Sequence, residues 1–236
     1  MNKFNLALLS LLLSFTCFAN IDGTFIQTWL YSYWTDERWE AEISSMKEIG
    51  IQEIIMADIA SRSNSNEPWS CSYPSQLSNT SLSADETTKI LKQAKKGGVK
   101  VYLGLGCDSR WWNWNLCNDN DYQEFAEAMT MSCKFARELY STYKTEFSNT
   151  FSGFYSVYEI WNHIEWNNPH RRSIYAQRMA EQFNRLIDTL NAIDPSMPLL
   201  FSPFATQADW CANIENTQAF YEEFFQKCHF REIDEM

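Results

Sequence analysis

The sequence alternates short apolar runs with longer amphipathic runs, and this alternation limits the folds open to the chain more than any other feature. The apolar runs, rich in β-branched and aromatic residues, predict five strands at 23–30, 52–59, 99–106, 153–160 and 199–204. The amphipathic runs predict helices at 36–49, 85–96, 122–147, 172–193 and 216–228. Between them, residues 60–83 form a long polar segment that predicts a loop.

Strict alternation of strands and helices predicts a parallel sheet, which forms either a doubly wound sheet or a barrel. The glycine-rich fingerprint of a dinucleotide-binding sheet does not follow the first predicted strand. We therefore expect an α/β fold of the (β/α) TIM-barrel type occupying residues 20–236. A complete barrel needs eight strands, so five units and the approach to a sixth at 230–236 predict a barrel incomplete at its C-terminus.

The first residues have the pattern of a secretory signal peptide. Lys3 precedes an apolar run, and Cys17-Phe18-Ala19 provides a small-residue cleavage site. We expect residues 1–19 to be removed after Ala19 and the protein to be secreted or extracytoplasmic, without a membrane anchor. The remaining part holds an even number of cysteines, which in a secreted chain predicts disulfides. These cysteines are Cys71, Cys107, Cys117, Cys133, Cys211 and Cys228.

The formal net charge of -11 argues against nucleic acid and against anionic membrane as partners, because both require Lys and Arg. A metal site is not expected either. Glu159 and His163 are four residues apart, but they lie at a strand end and have no third ligand at a matching spacing. The sequence predicts neither a metal nor an organic cofactor.

Active sites of (β/α) barrels lie at the carboxyl ends of the strands, so the residues at those positions are the candidates for chemistry. Glu159, near the end of an otherwise apolar strand, is the first candidate for a catalytic carboxyl group, and Asp58 and Asp108 hold equivalent positions. Glycosidic bonds are cleaved by paired carboxyl groups, and aromatic rings stack on sugars. The candidates for substrate binding are Gln27, Trp29, Tyr31, Trp111, Trp112, Trp161 and Asn162.

Several of these segments resemble the domain of unknown function 4434 family. The resemblance covers GTFIQTW at 23–29, Trp39, MKEIGI at 46–51, VYLGL at 101–105, GFYSVYEI at 153–160 and FSPF at 201–204. It implies a TIM barrel of the glycoside-hydrolase type. It also implies that Glu159 matches the acid/base carboxylate that many barrel glycosidases carry after strand four. Their second carboxylate commonly follows strand seven, so within this sequence Asp58 and Asp108 remain the alternatives.

The sequence thus favours a secreted glycoside hydrolase with Glu159 as its general acid/base and a carbohydrate as its substrate. The alternative is a non-catalytic barrel that binds carbohydrate through the same tryptophans, or that binds another protein through the loop at 60–83.

Overall fold

The computed structural model of the protein describes residues 22–236. The predicted signal peptide at 1–19 lies outside the described residues. Within 22–236, none of the helices combines the length and the apolar character needed to cross a membrane.

The described residues form nine strands. They are β1 Gly23–Ile26, β2 Glu53–Met56, β3 Ala60–Arg62, β4 Trp69–Cys71, β5 Thr80–Leu82, β6 Lys100–Gly104, β7 Gly106–Asp108, β8 Phe151–Trp161 and β9 Leu199–Phe204. Five of them form a parallel sheet in the order β1-β2-β6-β8-β9. Neighbours in this sheet follow one another along the chain without a reversal. This order is that of an arc of a (β/α) barrel and differs from a doubly wound sheet, whose order reverses at a switch point.

Helices connect the parallel strands, and most of them begin at a capping side chain. They span Thr28–Tyr31, Asp36–Glu48, Glu86–Gly97, Asp119–Tyr143, Pro169–Ile193 and Ile214–Lys227, with 3-10 turns at Ser109–Asn113 and Ile164–Asn167. The side chains that accept a hydrogen bond from a backbone N–H of the first turn are Thr35, Asp85, Asn118, Asn168 and Asn213. Such caps satisfy donors that lack a partner inside the helix, which fixes where each helix begins.

The two faces of the parallel sheet differ in burial. Side chains of one face, such as Ile54, Val101 and Leu103, are fully buried in the core that the helices share. Side chains of the other face alternate with them and are less buried, and Phe25 keeps 50% of its surface exposed. Glu159 lies on this second face, at the carboxyl end of β8.

The segment predicted as a loop at 60–83 instead contains three short strands, which corrects that prediction. They join β7 in a small sheet of order β5-β4-β3-β7, with Arg62 paired to Asp108 in the register. The segment orders because Trp69 and Cys71 are buried in the main core and because the Arg62 side chain is buried beside Asp108. The polar composition of the segment gave no indication that these side chains are buried.

The small sheet also shortens two predicted strands. The strand predicted at 52–59 ends at Met56, and the one predicted at 99–106 divides into β6 and β7 around Leu105. Gly104 allows the close approach at this branch, because a Cβ atom there would lie 2.1 Å from the carbonyl oxygen of Ala57. The strand predicted at 23–30 ends at Ile26, where the chain turns into the helix Thr28–Tyr31.

Within residues 22–236 the six cysteines are unpaired, and the expected disulfides are not found. Three of the thiols are instead within hydrogen-bonding distance of backbone carbonyls in separate parts of the fold. Cys71 lies 3.6 Å from the Trp69 oxygen, Cys117 3.3 Å from the Arg171 oxygen and Cys133 3.7 Å from the Arg185 oxygen. An even number of cysteines does not determine whether the fold brings their thiols close enough to form disulfides.

The last residues approach the free edge of β9, as predicted for 230–236. Glu235 forms a parallel bridge with Leu200, and its backbone N–H donates to the Leu199 oxygen at 2.9 Å. The Tyr102 hydroxyl donates to a Glu235 carboxylate oxygen at 2.9 Å. This contact joins the segment to the partly exposed face of the sheet.

Candidate active site

A cleft of about 380 Å³ lies at the carboxyl ends of the parallel strands. It brings together four of the predicted site residues: Gln27 and Trp29 after β1, Asp58 after β2 and Glu159 in β8. The other residues that line the cleft are Phe25, Ala57, Cys107, Tyr155, Val157 and Ser202. This lining contains two carboxyl groups and no Lys or Arg side chain.

Asp58 lies two residues beyond β2, where the chain passes from the main sheet to the small sheet. The backbone around it is tied to both neighbours of β2, since the Ala57 N–H donates to the Ile26 oxygen and the Ile59 N–H to the Gly104 oxygen. Thr28 Oγ1 donates to the Asp58 carbonyl oxygen at 3.0 Å. Burial raises the pKa of the Asp58 carboxyl from 3.8 to about 6. A carboxyl group of raised pKa in the lining of a cleft is a candidate for proton chemistry near neutral pH.

Glu159 is half-buried in the lining of the same cleft. Its backbone is fixed by Trp111, whose indole Nε1 donates to the Glu159 carbonyl oxygen at 3.1 Å. Its neighbours Tyr158 and Ile160 are buried on the opposite face of β8, which directs the Glu159 side chain into the cleft. Burial raises the pKa of this carboxyl above its usual value. No described residue forms an ion pair with it.

Cys107 lines the cleft together with both carboxyl groups. Burial, followed by the negative charges of Asp58, Asp108 and Glu159, raises the pKa of the Cys107 thiol to about 12. The thiol therefore stays protonated and is a poor nucleophile at neutral pH.

Asp108 is not in the cleft, and its predicted catalytic placement is corrected. Its carboxylate is fully buried, accepts a hydrogen bond from Arg62 Nε at 2.7 Å and pairs with Arg110 through Nε at 2.9 Å and Nη2 at 2.7 Å. Burial alone would raise the pKa of Asp108, but the hydrogen bonds from Arg110 and Arg62 outweigh it and lower the pKa. With both oxygens engaged by guanidinium groups, Asp108 joins the small sheet to the 3-10 turn.

Two aromatic candidates for substrate binding lie in the core instead of the cleft. Tyr31 is completely buried and packs edge-on against Trp39 with ring centroids 5.1 Å apart. Trp111 is 2% exposed and stacks on Phe125 at 5.0 Å. Neither ring can contact a sugar, because both faces are covered by other side chains.

The remaining three candidates also lie outside the lining of the cleft. Trp112 is half-exposed on the 3-10 turn that begins at Ser109. Asn162 is buried and binds the backbone of the loop after β9. Trp161 is partly buried, with its ring 4.8 Å from that of His163 and 6.1 Å from that of Trp210.

The structure also adds residues that the sequence did not single out. Phe25 and Tyr155 pack edge-on at 5.1 Å and form the apolar wall of the cleft. Side chains of a strand point alternately to its two faces, and both residues lie at positions whose side chains face the cleft. This alternation is the signal that could have identified them. Cys107 lacks such a signal, because its place depends on the split of the predicted third strand. Within residues 22–236, no group of three or more His, Cys, Asp or Glu side chains could hold a metal ion.

Solved structures with a similar fold include two proteins described as carbohydrate-active. A putative alpha-L-fucosidase from Bacteroides thetaiotaomicron VPI-5482 superposes with a TM-score of 0.68 at 20% identity, over 89% of this chain and 61% of that one. The hyperthermostable endo-1,4-beta-D-mannanase from Thermotoga petrophila RKU-1 gives a TM-score of 0.51 at 12% identity, over 86% and 61%. The chain thus spans about three fifths of each of these proteins. The likeness confirms the TIM-barrel fold of glycoside hydrolases.

No curated protein matches the sequence. The family described as domain of unknown function (DUF4434) matches residues 21–232, which is nearly the whole described chain. The resemblance of the strand segments is therefore confirmed, and the chain belongs to the DUF4434 family.

Proposed function

We propose that the protein is a glycoside hydrolase that uses Glu159 and Asp58 as its two catalytic carboxyl groups. The observation that carries this proposal is the convergence of both groups, from different strands, in one cleft without a basic partner. Enzymes that cleave glycosidic bonds need such a pair, one protonated and one ionised. The likeness of the fold to glycoside hydrolases supports the same reading.

Glu159 is the general acid/base in this mechanism. It lies half-buried in the lining of the cleft, so a bound sugar would remove it further from water. Loss of water disfavours the carboxylate form, so the bound sugar raises the pKa of Glu159 and keeps its proton in place. The proton passes to the leaving oxygen as the bond to the anomeric carbon breaks.

Asp58 supplies the negative charge. Its pKa of about 6 leaves it ionised above that pH, and it lines the same cleft as Glu159. There its charge stabilises the oxocarbenium-like transition state, in which the sugar ring becomes positive. Water supplies the hydroxyl group of the new reducing end, and its second proton restores the acid.

The substrate is a carbohydrate held by the aromatic wall of the cleft. Trp29 keeps 69% of its surface exposed at the rim, and Gln27 beside it is exposed. An exposed indole face can cover the C–H face of a sugar ring, while the Gln27 amide can bond hydroxyl groups. Fucosides and mannans, which the names of the two similar structures contain, are the first substrates to try.

We propose that this hydrolysis takes place outside the cytoplasm. The basis is the pattern of residues 1–19, which has the order of charge, apolar run and small residues of a secretory signal. N-terminal sequencing of the protein recovered from its native host tests this directly. A mature chain starting at Asn20 is expected, and an intact cytoplasmic chain starting at Met1 contradicts it.

The function is tested by measuring the release of reducing ends from a panel of polysaccharides and fucosides. The wild type is compared with Glu159→Gln, Asp58→Asn and the control Glu127→Gln, which changes an exposed carboxylate on the helix Asp119–Tyr143. Loss of general acid catalysis lowers the rate at least ~100-fold in Glu159→Gln, while the control keeps full activity. Equal rates in wild type and Glu159→Gln would refute the mechanism. Glycan binding without turnover by any folded form would favour the non-catalytic alternative.

A further inference from the structure

The loop that follows β9 carries the second large exposed tryptophan near the cleft. Trp210 keeps 64% of its surface exposed, compared with 69% for Trp29 at the opposite edge of the sheet. The two tryptophans follow β1 and β9, and the carboxyl groups of the cleft lie between these edges.

This loop is fixed to the end of β8 by one buried side chain. The Asn162 amide Nδ2 donates to the Thr206 and Ala212 carbonyl oxygens at 2.8 and 2.9 Å, and its Oδ1 accepts from the Thr206 N–H at 3.0 Å. The Ala212 N–H donates in turn to the backbone carbonyl oxygen of Asn162 at 3.0 Å. The loop is therefore held at both ends, which positions Trp210 before any ligand binds.

Trp210 is held on the side of the cleft where Glu159 lies. Trp161 follows Glu159 by two residues in β8, so both side chains point to the same face. The Trp161 and Trp210 rings lie 6.1 Å apart at an angle of 58°, and His163 supports Trp161 from its other side. Trp161 thus links the catalytic carboxyl group to the exposed indole of Trp210.

Polar groups on the same loop could bond sugar hydroxyls. Gln207 and Asp209 are exposed and line a neighbouring cavity of about 490 Å³ together with Asn167 and Asn213. No Lys or Arg side chain lines this cavity or the cleft. Carboxyl groups without basic partners repel anionic ligands, so the surface fits a neutral sugar.

We infer that Trp210, supported by Trp161 and positioned by Asn162, forms a second sugar-binding subsite next to Glu159. This inference rests on the proposed function. With Trp29 at the far edge, it makes the site a groove for a neutral oligosaccharide of several units. The protein would then act within glycan chains, and a single terminal sugar would fill only part of the groove.

The test is calorimetric titration of the inactive Glu159→Gln variant with β-1,4-mannooligosaccharides and cello-oligosaccharides, from monosaccharide to hexasaccharide. Affinity for at least one series is expected to rise with chain length. Adding Trp210→Ala is expected to weaken the longest ligand about tenfold, because one indole face loses its apolar contact, and to leave the shortest ligand unchanged. Adding Ile49→Ala, which removes an exposed apolar side chain just after the helix Asp36–Glu48, is expected to change nothing.

Unchanged affinity for the longest ligand after Trp210→Ala overturns the subsite, as does the absence of binding by any ligand length. Trp210→Phe keeps an aromatic face and is expected to retain most of the affinity, which separates ring stacking from a disturbed loop. Because the titration uses an inactive variant, its result does not depend on turnover. The hydrolysis assay of the wild type decides the proposed function separately.

Discussion

Asp58 and Glu159 come from strands that are separated by one strand in the parallel sheet, and both side chains enter the same cleft. Burial raises the pKa of each carboxyl group, and no described Lys or Arg pairs with either. Buried carboxyl groups without partners destabilise a fold. Both lie at the carboxyl ends of strands of the parallel sheet, where (β/α) barrels have their active sites, and this position supports the proposed catalytic roles.

Asp58→Asn should therefore stabilise the protein while it removes activity. Because folding raises the Asp58 pKa from 3.8 to about 6, ionisation above that pH costs up to about 3 kcal/mol. The cost falls as the pH drops through 6 and disappears below the unfolded pKa, where both states are protonated. Urea unfolding at several pH values should show a higher free energy of unfolding for Asp58→Asn than for the wild type at neutral pH. Below the unfolded pKa of Asp58, the two proteins should have the same free energy of unfolding.

The control for this prediction is Glu127→Gln, which should leave the free energy of unfolding unchanged at every pH. A lower stability of Asp58→Asn at neutral pH would show that the ionised Asp58 makes a favourable contact, and would contradict its role as an unpartnered group.

Asp108→Asn should have the opposite effect on stability. The substitution leaves Arg62, whose side chain is buried, without its anionic partner, and breaking a buried ion pair costs about 3–5 kcal/mol. The amide oxygen of the variant side chain can still accept the Arg110 N–H that caps the 3-10 turn, so the loss comes from the ion pairs and not from the cap. Thermal unfolding is expected to show a clear drop in midpoint. An unchanged midpoint would mean that the pair is not structural.

The contrast between Asp58 and Asp108 shows what could be predicted from the sequence. Both follow predicted strands and looked equivalent, and the strand order and barrel type followed correctly from the alternation of elements. The partner that separates the two residues, Arg62, lies in a segment of polar composition that predicted a loop. Its pairing depends on a small sheet formed between residues 46 positions apart, which no local pattern reveals.

A related reason explains why only one of the aromatic candidates for substrate binding lines the cleft. Tyr31, Trp111 and Trp29 have similar positions after strand ends, yet the first two are buried and the third is exposed. Burial depends on which helix packs over each ring, as Phe125 does over Trp111. Composition can predict that aromatic residues gather near strand ends, but only packing decides which of them face the cleft.

The activity should fall on the acid side as Asp58 gains a proton. Its ionised form is required, so kcat/KM is expected to decline as the pH drops through about 6. A pH–rate profile of kcat/KM with a soluble substrate measures this decline, and Asp58→Glu should shift its midpoint. A profile that is flat between about pH 4 and 7 would contradict the role of Asp58.

Cys107 should resist alkylation despite lining the cleft. Its pKa of about 12, against an ordinary value of 9.0, lowers the thiolate fraction ~1000-fold at neutral pH. Peptide mapping after a short exposure to iodoacetamide is expected to find Cys107 unmodified in the folded protein and modified after denaturation. Cys107→Ser should keep full activity. Rapid alkylation in the native state would contradict this prediction, because it would require a positive charge near the thiol that lowers its pKa.

The central claim is that the cleft hydrolyses a glycosidic bond with Glu159 as the proton donor. Its most direct test is to incubate the protein in heavy-oxygen water with a glycan that it cleaves, and to analyse the products by mass spectrometry. The account predicts one heavy oxygen at the anomeric carbon of each new reducing end, with at least ~100-fold less labelled product for Glu159→Gln. Unlabelled or unsaturated products, or equal labelling by Glu159→Gln, would contradict it.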